Sequence, residues 1–196
     1  LTVARYYTPT GRCIQKPYNE GYDQYYKDLL KRLEKGELTH ENKINFPDSL
    51  LFYTPKNRTV YGGGGIMPDV FVPWDSTKYT DFYVDLLSKG IFSDFVLDYL
   101  DAERKSLNKK YPVFDLFDKS FQIDTDFLNQ FVEFARANGL DALPEDMILA
   151  GDIIKHQIKA LIARNLYEFK SYFQVMTQID EGFQKAIEVI ENDSNF

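Results

Sequence analysis

Tyr7-Thr8-Pro9-Thr10-Gly11-Arg12 returns later in the chain as Tyr53-Thr54-Pro55-Lys56-Asn57-Arg58. Both copies read as hairpin turns. Proline presets φ for the first central position of a type I turn, and Gly11 or Asn57 then falls where a left-handed residue is needed. The flanking runs supply the paired strands: Leu1 to Tyr7 with Cys13 to Gln15, and Leu50 to Tyr53 with Thr59 to Tyr61. A third apolar run, Val70 to Val72, is expected to extend the sheet. Beyond Pro73-Trp74-Asp75 the pattern changes to helical periodicity. This predicts an α+β chain: residues 1–75 a small, mostly antiparallel β-hairpin region with an inserted helix, residues 76–196 a helical domain.

The inserted helix is carried by Tyr22, Tyr25, Tyr26, Leu29, Leu30 and Leu33 on one face, with Gly36 just past its end. In the second part, Ser76 or Thr77 is expected to cap a helix striped by Tyr79, Phe82, Tyr83, Leu86 and Leu87 and ended by Gly90. Ser93 is expected to cap the next, running to about Lys109, where Tyr111-Pro112 breaks it and a loop follows. Asp124 or Thr125 starts a further helix with Phe127, Leu128, Phe131, Val132 and Ala135 inward, closed by Gly139. Pro144 opens the longest segment. Its stripe runs through Ile154, Ile158, Leu161 and Ile162, and continues through Leu166, Phe169, Phe173, Met176, Ile179, Phe183, Ile187 and Ile190 as packing helices.

Composition bounds the function. With 196 residues, 44% hydrophobic and 16% aromatic, the chain can bury a sizeable core. Its 23 basic and 30 acidic residues give a net charge of −7, which argues against nucleic acid or an anionic membrane as a partner. One cysteine allows no internal disulfide, and no apolar run approaches the roughly 18 residues of a membrane helix. Leu1 reads as a strand already under way, so the chain is expected to be part of something longer.

No self-contained catalytic site is legible, and neither a metal nor an organic cofactor is expected. Gly62-Gly63-Gly64-Gly65-Ile66-Met67-Pro68-Asp69 lacks the Lys-Ser/Thr of a phosphate loop and opens no helix, so its glycines read as tight turning or close backbone approach. His40, His156 and Cys13 have no ligand spacing to one another, and no Gly-x-Ser-x-Gly elbow occurs. Arg12 beside Cys13 could lower the thiol pKa, but a packed strand cysteine is the commoner reading. Asp23, Asp28 and Glu34 fall on solvated helix faces. Arg5, Arg12 and Arg58 each adjoin a turn or strand and could pair with Asp69. If that guanidinium were buried, losing Asp69 would cost about 3–5 kcal/mol.

Ala4-Arg5-Tyr6-Tyr7-Thr8-Pro9-Thr10-Gly11-Arg12-Cys13-Ile14-Gln15, followed in order by Gly65-Ile66-Met67-Pro68-Asp69, resembles the carboxy-terminal processing (tail-specific) serine proteases. Lys159 to Leu166 is similar to the helical C-terminal extension of relatives from Bacteroidetes-type bacteria. The chain departs from the family pattern at Cys13, where serine is common, and in the 46 residues, Lys16 to Tyr61, that separate Gln15 from Gly62. The resemblance implies that Arg5, Tyr7, Pro9, Gly11, Arg12, Gly65, Pro68 and Asp69 are structural motif residues closing the protease-core sheet. It also implies that the Ser nucleophile, the Lys base and a PDZ module that takes protein or peptide substrates all lie upstream. No catalytic residue would then belong to this chain. The fragment would be inactive alone, its exposed edges relieved by homo-oligomerisation or strand exchange. Its parent would act on the periplasmic side of a bacterial envelope. The rival reading is a stand-alone helical interaction module without enzymatic activity.

Overall fold

In the computed structural model, residues 4–16, 21–44, 50–62 and 69–192 are described. The chain divides into two compact units, Leu1–Asp75 and Ser76–Phe196.

The first unit is built from turns. At the first, the Gly11 N–H donates to the Thr8 carbonyl (2.8 Å) and the Thr8 N–H to the Arg12 carbonyl (2.8 Å). This is a three-residue loop whose last residue is left-handed, with Gly11 at φ 86°. The second repeats it bond for bond. Asn57 N–H donates to Thr54 O (2.8 Å), Thr54 N–H to Arg58 O (2.9 Å), and Asn57 takes φ 57°. Among the described residues only the second turn carries a ladder. β1 (Leu51–Tyr53) pairs antiparallel with β2 (Thr59–Tyr61), Phe52 opposite Val60. The first turn closes, among the described residues, a single bridge, Tyr7 to Cys13.

The run Val70 to Val72 is not a strand. No described strand lies beside it, and three β-branched or aromatic residues make no ladder without a partner edge. α1 (Tyr22–Glu34) forms as its periodicity predicts, with Gly36 at φ 75° after its end. Tyr22, Tyr26 and Leu30 along it are exposed, and Val60 is the sole buried hydrophobic residue among the described residues of this unit. Part of the expected first strand, Leu1 to Val3, lies outside the described residues.

The second unit holds the core. α2 (Asp81–Ser88) starts later than either expected cap: Thr80 is the N-cap, its Oγ1 accepting from the Tyr83 N–H (3.3 Å). Phe82, Tyr83 and Leu86 are buried, whereas Tyr79 and Leu87 are exposed. α3 (Ile91–Lys110) is preceded by Gly90 in the left-handed region, not by a Ser93 cap. Placed there, Gly90 both ends α2 and opens α3, so Ser93 lies inside the first turn. Tyr111 leaves the helical region ahead of Pro112, as the proline rule requires.

In place of the expected loop after Pro112, α4 (Phe114–Ser120) forms and buries Phe117. α5 (Thr125–Ala137) is capped by Asp124, whose carboxylate accepts from Phe127 N–H (2.9 Å), with Phe131 and Ala135 fully buried. α6 (Pro144–Leu166) packs against α2, α3, α4 and α7 and buries Ile154, Ile158 and Ile162. The stripe beyond it does not continue as one packed face. The chain breaks into α7 (Phe169–Met176) and α8 (Glu181–Asn192), and Phe169, Phe173, Phe183, Ile187 and Ile190 are exposed.

Rings knit the core. Phe131 stacks on Phe92 (centroids 5.1 Å) and meets Phe95 edge to face (5.1 Å), while Phe117 stacks on Phe121 (4.6 Å). The Tyr167 hydroxyl donates to the Tyr111 carbonyl (2.6 Å), closing α6 against the end of α3.

Candidate functional site

The described motif residues gather around the two turns of the first unit. Thr8 and Thr10 hydroxyls lie 2.9 Å apart, and Thr10 Oγ1 accepts from Arg12 Nε (3.1 Å). Arg12 then reaches out of its own turn, donating through a terminal guanidinium nitrogen to the Tyr61 carbonyl (3.4 Å). That contact joins the first motif to the end of β2, immediately before the glycine run. Gly62 continues the ladder by donating to Leu50 O (2.9 Å). A Cβ at Gly62 would lie 3.0 Å from the Phe52 ring and 3.5 Å from Arg12 Cγ, so close approach accounts for this glycine.

The arginines separate in role. Arg58 pairs with Asp69 (2.6 Å), but the two side chains are 59% and 63% exposed. The premise of a buried guanidinium at Asp69 is therefore corrected. In high dielectric the pair is worth about 0.2–1 kcal/mol. Arg12 is engaged with Thr10 and Tyr61, not Asp69. Arg5 is exposed and makes no ion pair among the described residues. Tyr7 sits at the bridge and Pro9 within the turn. Gly65 and Pro68, with the rest of residues 63–68, lie outside the described residues.

The arrangement orders backbone. Cys13 is a free, half-buried thiol at the bridge. His40 Nδ1 lies 2.8 Å from Thr39 Oγ1, and His156 Nδ1 lies 2.8 Å from Asp152 O on its own helix. Among the described residues no group of three or more His, Cys, Asp or Glu could hold a metal ion. No described helix is long and apolar enough to cross a membrane.

Two features of the second unit escape sequence reading. Lys159, on the predominantly apolar middle of α6, is buried; its Nζ donates to the Asp118 carbonyl (2.6 Å) and lies 3.2 Å from that carboxylate. Gln178 donates to both carboxylate oxygens (3.0 and 2.9 Å). The other feature is Tyr83. Burial, with smaller contributions from neighbouring Tyr172 and Tyr79, pushes its phenol up to about 12. Charge spacing on α6 gives no sign of the first, and phenol titration depends on packing alone.

Residues 82–168, from α2 through the end of α6, match a family of unknown function, DUF8443, whose description attaches no activity to it. No curated protein and no solved structure matches the chain.

Proposed function

We propose that this chain is the C-terminal, non-catalytic portion of a serine endopeptidase that cleaves proteins near their C-termini, its Ser/Lys dyad lying upstream of Leu1. The observation that carries the reading is the bond from Arg12 to the Tyr61 carbonyl, across 49 residues of chain. Arg12 belongs to the first motif, and Tyr61 precedes the glycines that lead to Pro68-Asp69. The little apolar burial among the first unit's described residues is in keeping with it: Tyr6, Tyr7 and Tyr53 are exposed and Val60 is buried. Such a unit suits the edge of a larger sheet.

In this reading an upstream lysine, kept neutral by desolvation, takes the proton of the serine hydroxyl as it attacks the scissile carbonyl, and backbone donors hold the oxyanion. The present chain contributes order rather than a reacting group: the Thr8–Arg12 turn and β1–β2 would brace the sheet that carries those residues. The parent acts on the periplasmic side of a bacterial envelope and needs no metal or organic cofactor.

The test compares this chain with the same chain extended upstream through its dyad, using an unstructured protein with an apolar C-terminus as substrate. The extended chain is expected to cleave and the present chain to be inert. Cleavage by the present chain at a comparable rate would refute the assignment. A second reading, a helical interaction module, draws on the exposed Phe183, Ile187 and Ile190 of α8. Specific capture of a partner that is lost on Phe183→Ser and Ile190→Ser would favour it.

A further inference from the structure

The second unit carries a cleft of about 430 Å³ between the starts of α2 and α6, within the size range, about 300–1,000 Å³, typical of ligand clefts. Its apolar lining combines the buried Phe82 and Leu140 with the exposed Leu143 and Leu149. Ile148, next along α6, is 82% exposed. The cleft thus offers a few apolar side chains among charged ones, and exposed Ile148 adjoins Leu149 on the same helix.

The charge on this surface selects the partner. Five carboxylates line the cleft and no basic side chain does. Asp146 is committed to the Leu143 N–H (2.9 Å), Asp85 is offset by Lys89 (3.6 Å), and Asp141 shares Arg136 (3.2 Å) with Glu133 (2.9 Å). Asp81 and Glu145 have no ion-pair partner among the described residues. The two helix N-termini add about half a positive charge each, so with Lys89 and Arg136 counted the cleft retains a net charge of about −2. An anionic lipid surface or nucleic acid is repelled by this field, and a wholly apolar segment would leave the carboxylates partly desolvated and unpaired.

We infer that the cleft between α2 and α6 docks a basic, apolar-anchored polypeptide segment, with a leucine-sized side chain against Phe82, Leu140 and Leu149 and lysine or arginine side chains against Asp81 and Glu145. The inference is independent of the protease reading, since no residue of the first unit enters it.

Fluorescence anisotropy on the full chain, with a fluorescein-labelled Lys-Leu-Lys-Leu-Leu-Lys peptide as probe, tests it. Binding is expected to weaken as salt rises, and the Asp81→Asn/Glu145→Gln double variant is expected to lose about tenfold in affinity, the size of two exposed charge pairs. An Asp98→Asn/Asp101→Asn variant, altering two exposed α3 carboxylates outside the cleft lining, removes the same net charge and should bind as wild type. Reversing the charges in Asp81→Lys/Glu145→Lys should transfer preference to Glu-Leu-Glu-Leu-Leu-Glu, which a misfolded variant would not do. Equal loss in the α3 control, or equal binding of a peptide with serine in place of each leucine, would overturn the proposal. Spermidine binding as tightly as the peptide would also overturn it, by showing a site for small polycations alone.

Discussion

Lys159 and Asp118 offer a sharp test of how the helical unit is held. The lysine side chain is 10% exposed and the aspartate 24%. Removing one member of a fully buried pair costs about 3–5 kcal/mol because the survivor is left uncompensated. Here the survivor is not abandoned. In Asp118→Ala the ammonium keeps the backbone carbonyl of residue 118 at 2.6 Å, and the loss is its contact with the carboxylate at 3.2 Å plus two acceptors for Gln178. That places the cost near a charged hydrogen bond, about 1.5–3 kcal/mol. Lys159→Met removes the ammonium and its desolvation penalty while keeping a chain of similar length. The partly exposed carboxylate retains Gln178 and solvent, so this variant should lie within about 1 kcal/mol of wild type or above it. Urea unfolding followed by helical circular dichroism measures both, provided that the slope m is unchanged. Adding Asp118→Ala to the Lys159→Met background should then cost less than in wild type, the mark of a coupled pair. If Lys159→Met proves the more damaging single change by 1 kcal/mol or more, the ion pair is a net stabiliser and the desolvation argument fails.

Other consequences follow from the same structure. Asp69→Asn should change stability by less than about 1 kcal/mol, because Arg58–Asp69 is an exposed pair; a loss near 3 kcal/mol in urea unfolding would mean that the pair is buried in the native protein. Thr80→Ala should cost about 1 kcal/mol through the lost N-cap of α2, and Ser76→Ala close to nothing; equal losses would move the helix start. Tyr83 has a phenol pKa raised by burial above its ordinary 10, so the native state holds its proton more tightly than the unfolded chain. Stability from this group is intact below pH 10 and falls as pH rises from 10 to about 12, which melts across that window and Tyr83→Phe would reveal. A Tyr83→Phe variant with undiminished alkaline sensitivity would assign the effect elsewhere, with Tyr99 and Tyr167, both also raised chiefly by burial, the next residues to test.

What was legible in the sequence was local. The two Tyr-Thr-Pro repeats form the same turn because proline, threonine and a left-handed Gly11 or Asn57 act within five residues of one another. The helices with strong periodicity and a nearby glycine stop, α1 and α5, are found where their pattern puts them. Failures lie where a distant partner decides. Val70 to Val72 has strand-like residues but no described neighbouring edge to bond. α4 was hidden behind Pro112, whose breaking of α3 says nothing of a new helix starting at Phe114. The apolar stripe through Phe169 and Ile190 keeps its period across two breaks that no glycine or proline marks, and period alone cannot tell a buried face from an exposed one. Lys159 reads as a surface charge until Asp118 is brought to it by the packing of α4 on α6.

The motif residues fare likewise. Gly11 and Pro9 are held by contacts that their own turn supplies, whereas Arg12 is held by Thr10 and by the Tyr61 carbonyl 49 residues on. Pairing of Asp69 with Arg58, rather than Arg5 or Arg12, depends on how the second hairpin presents its end. Nothing in the spacing chooses among three arginines.

The most direct measurement is to read the gene upstream of Leu1. The account predicts an open frame continuous with this chain that encodes a PDZ-like segment, a serine nucleophile and, after it, a lysine. An initiating codon immediately before Leu1 would contradict it, by leaving no place for that dyad ahead of this chain.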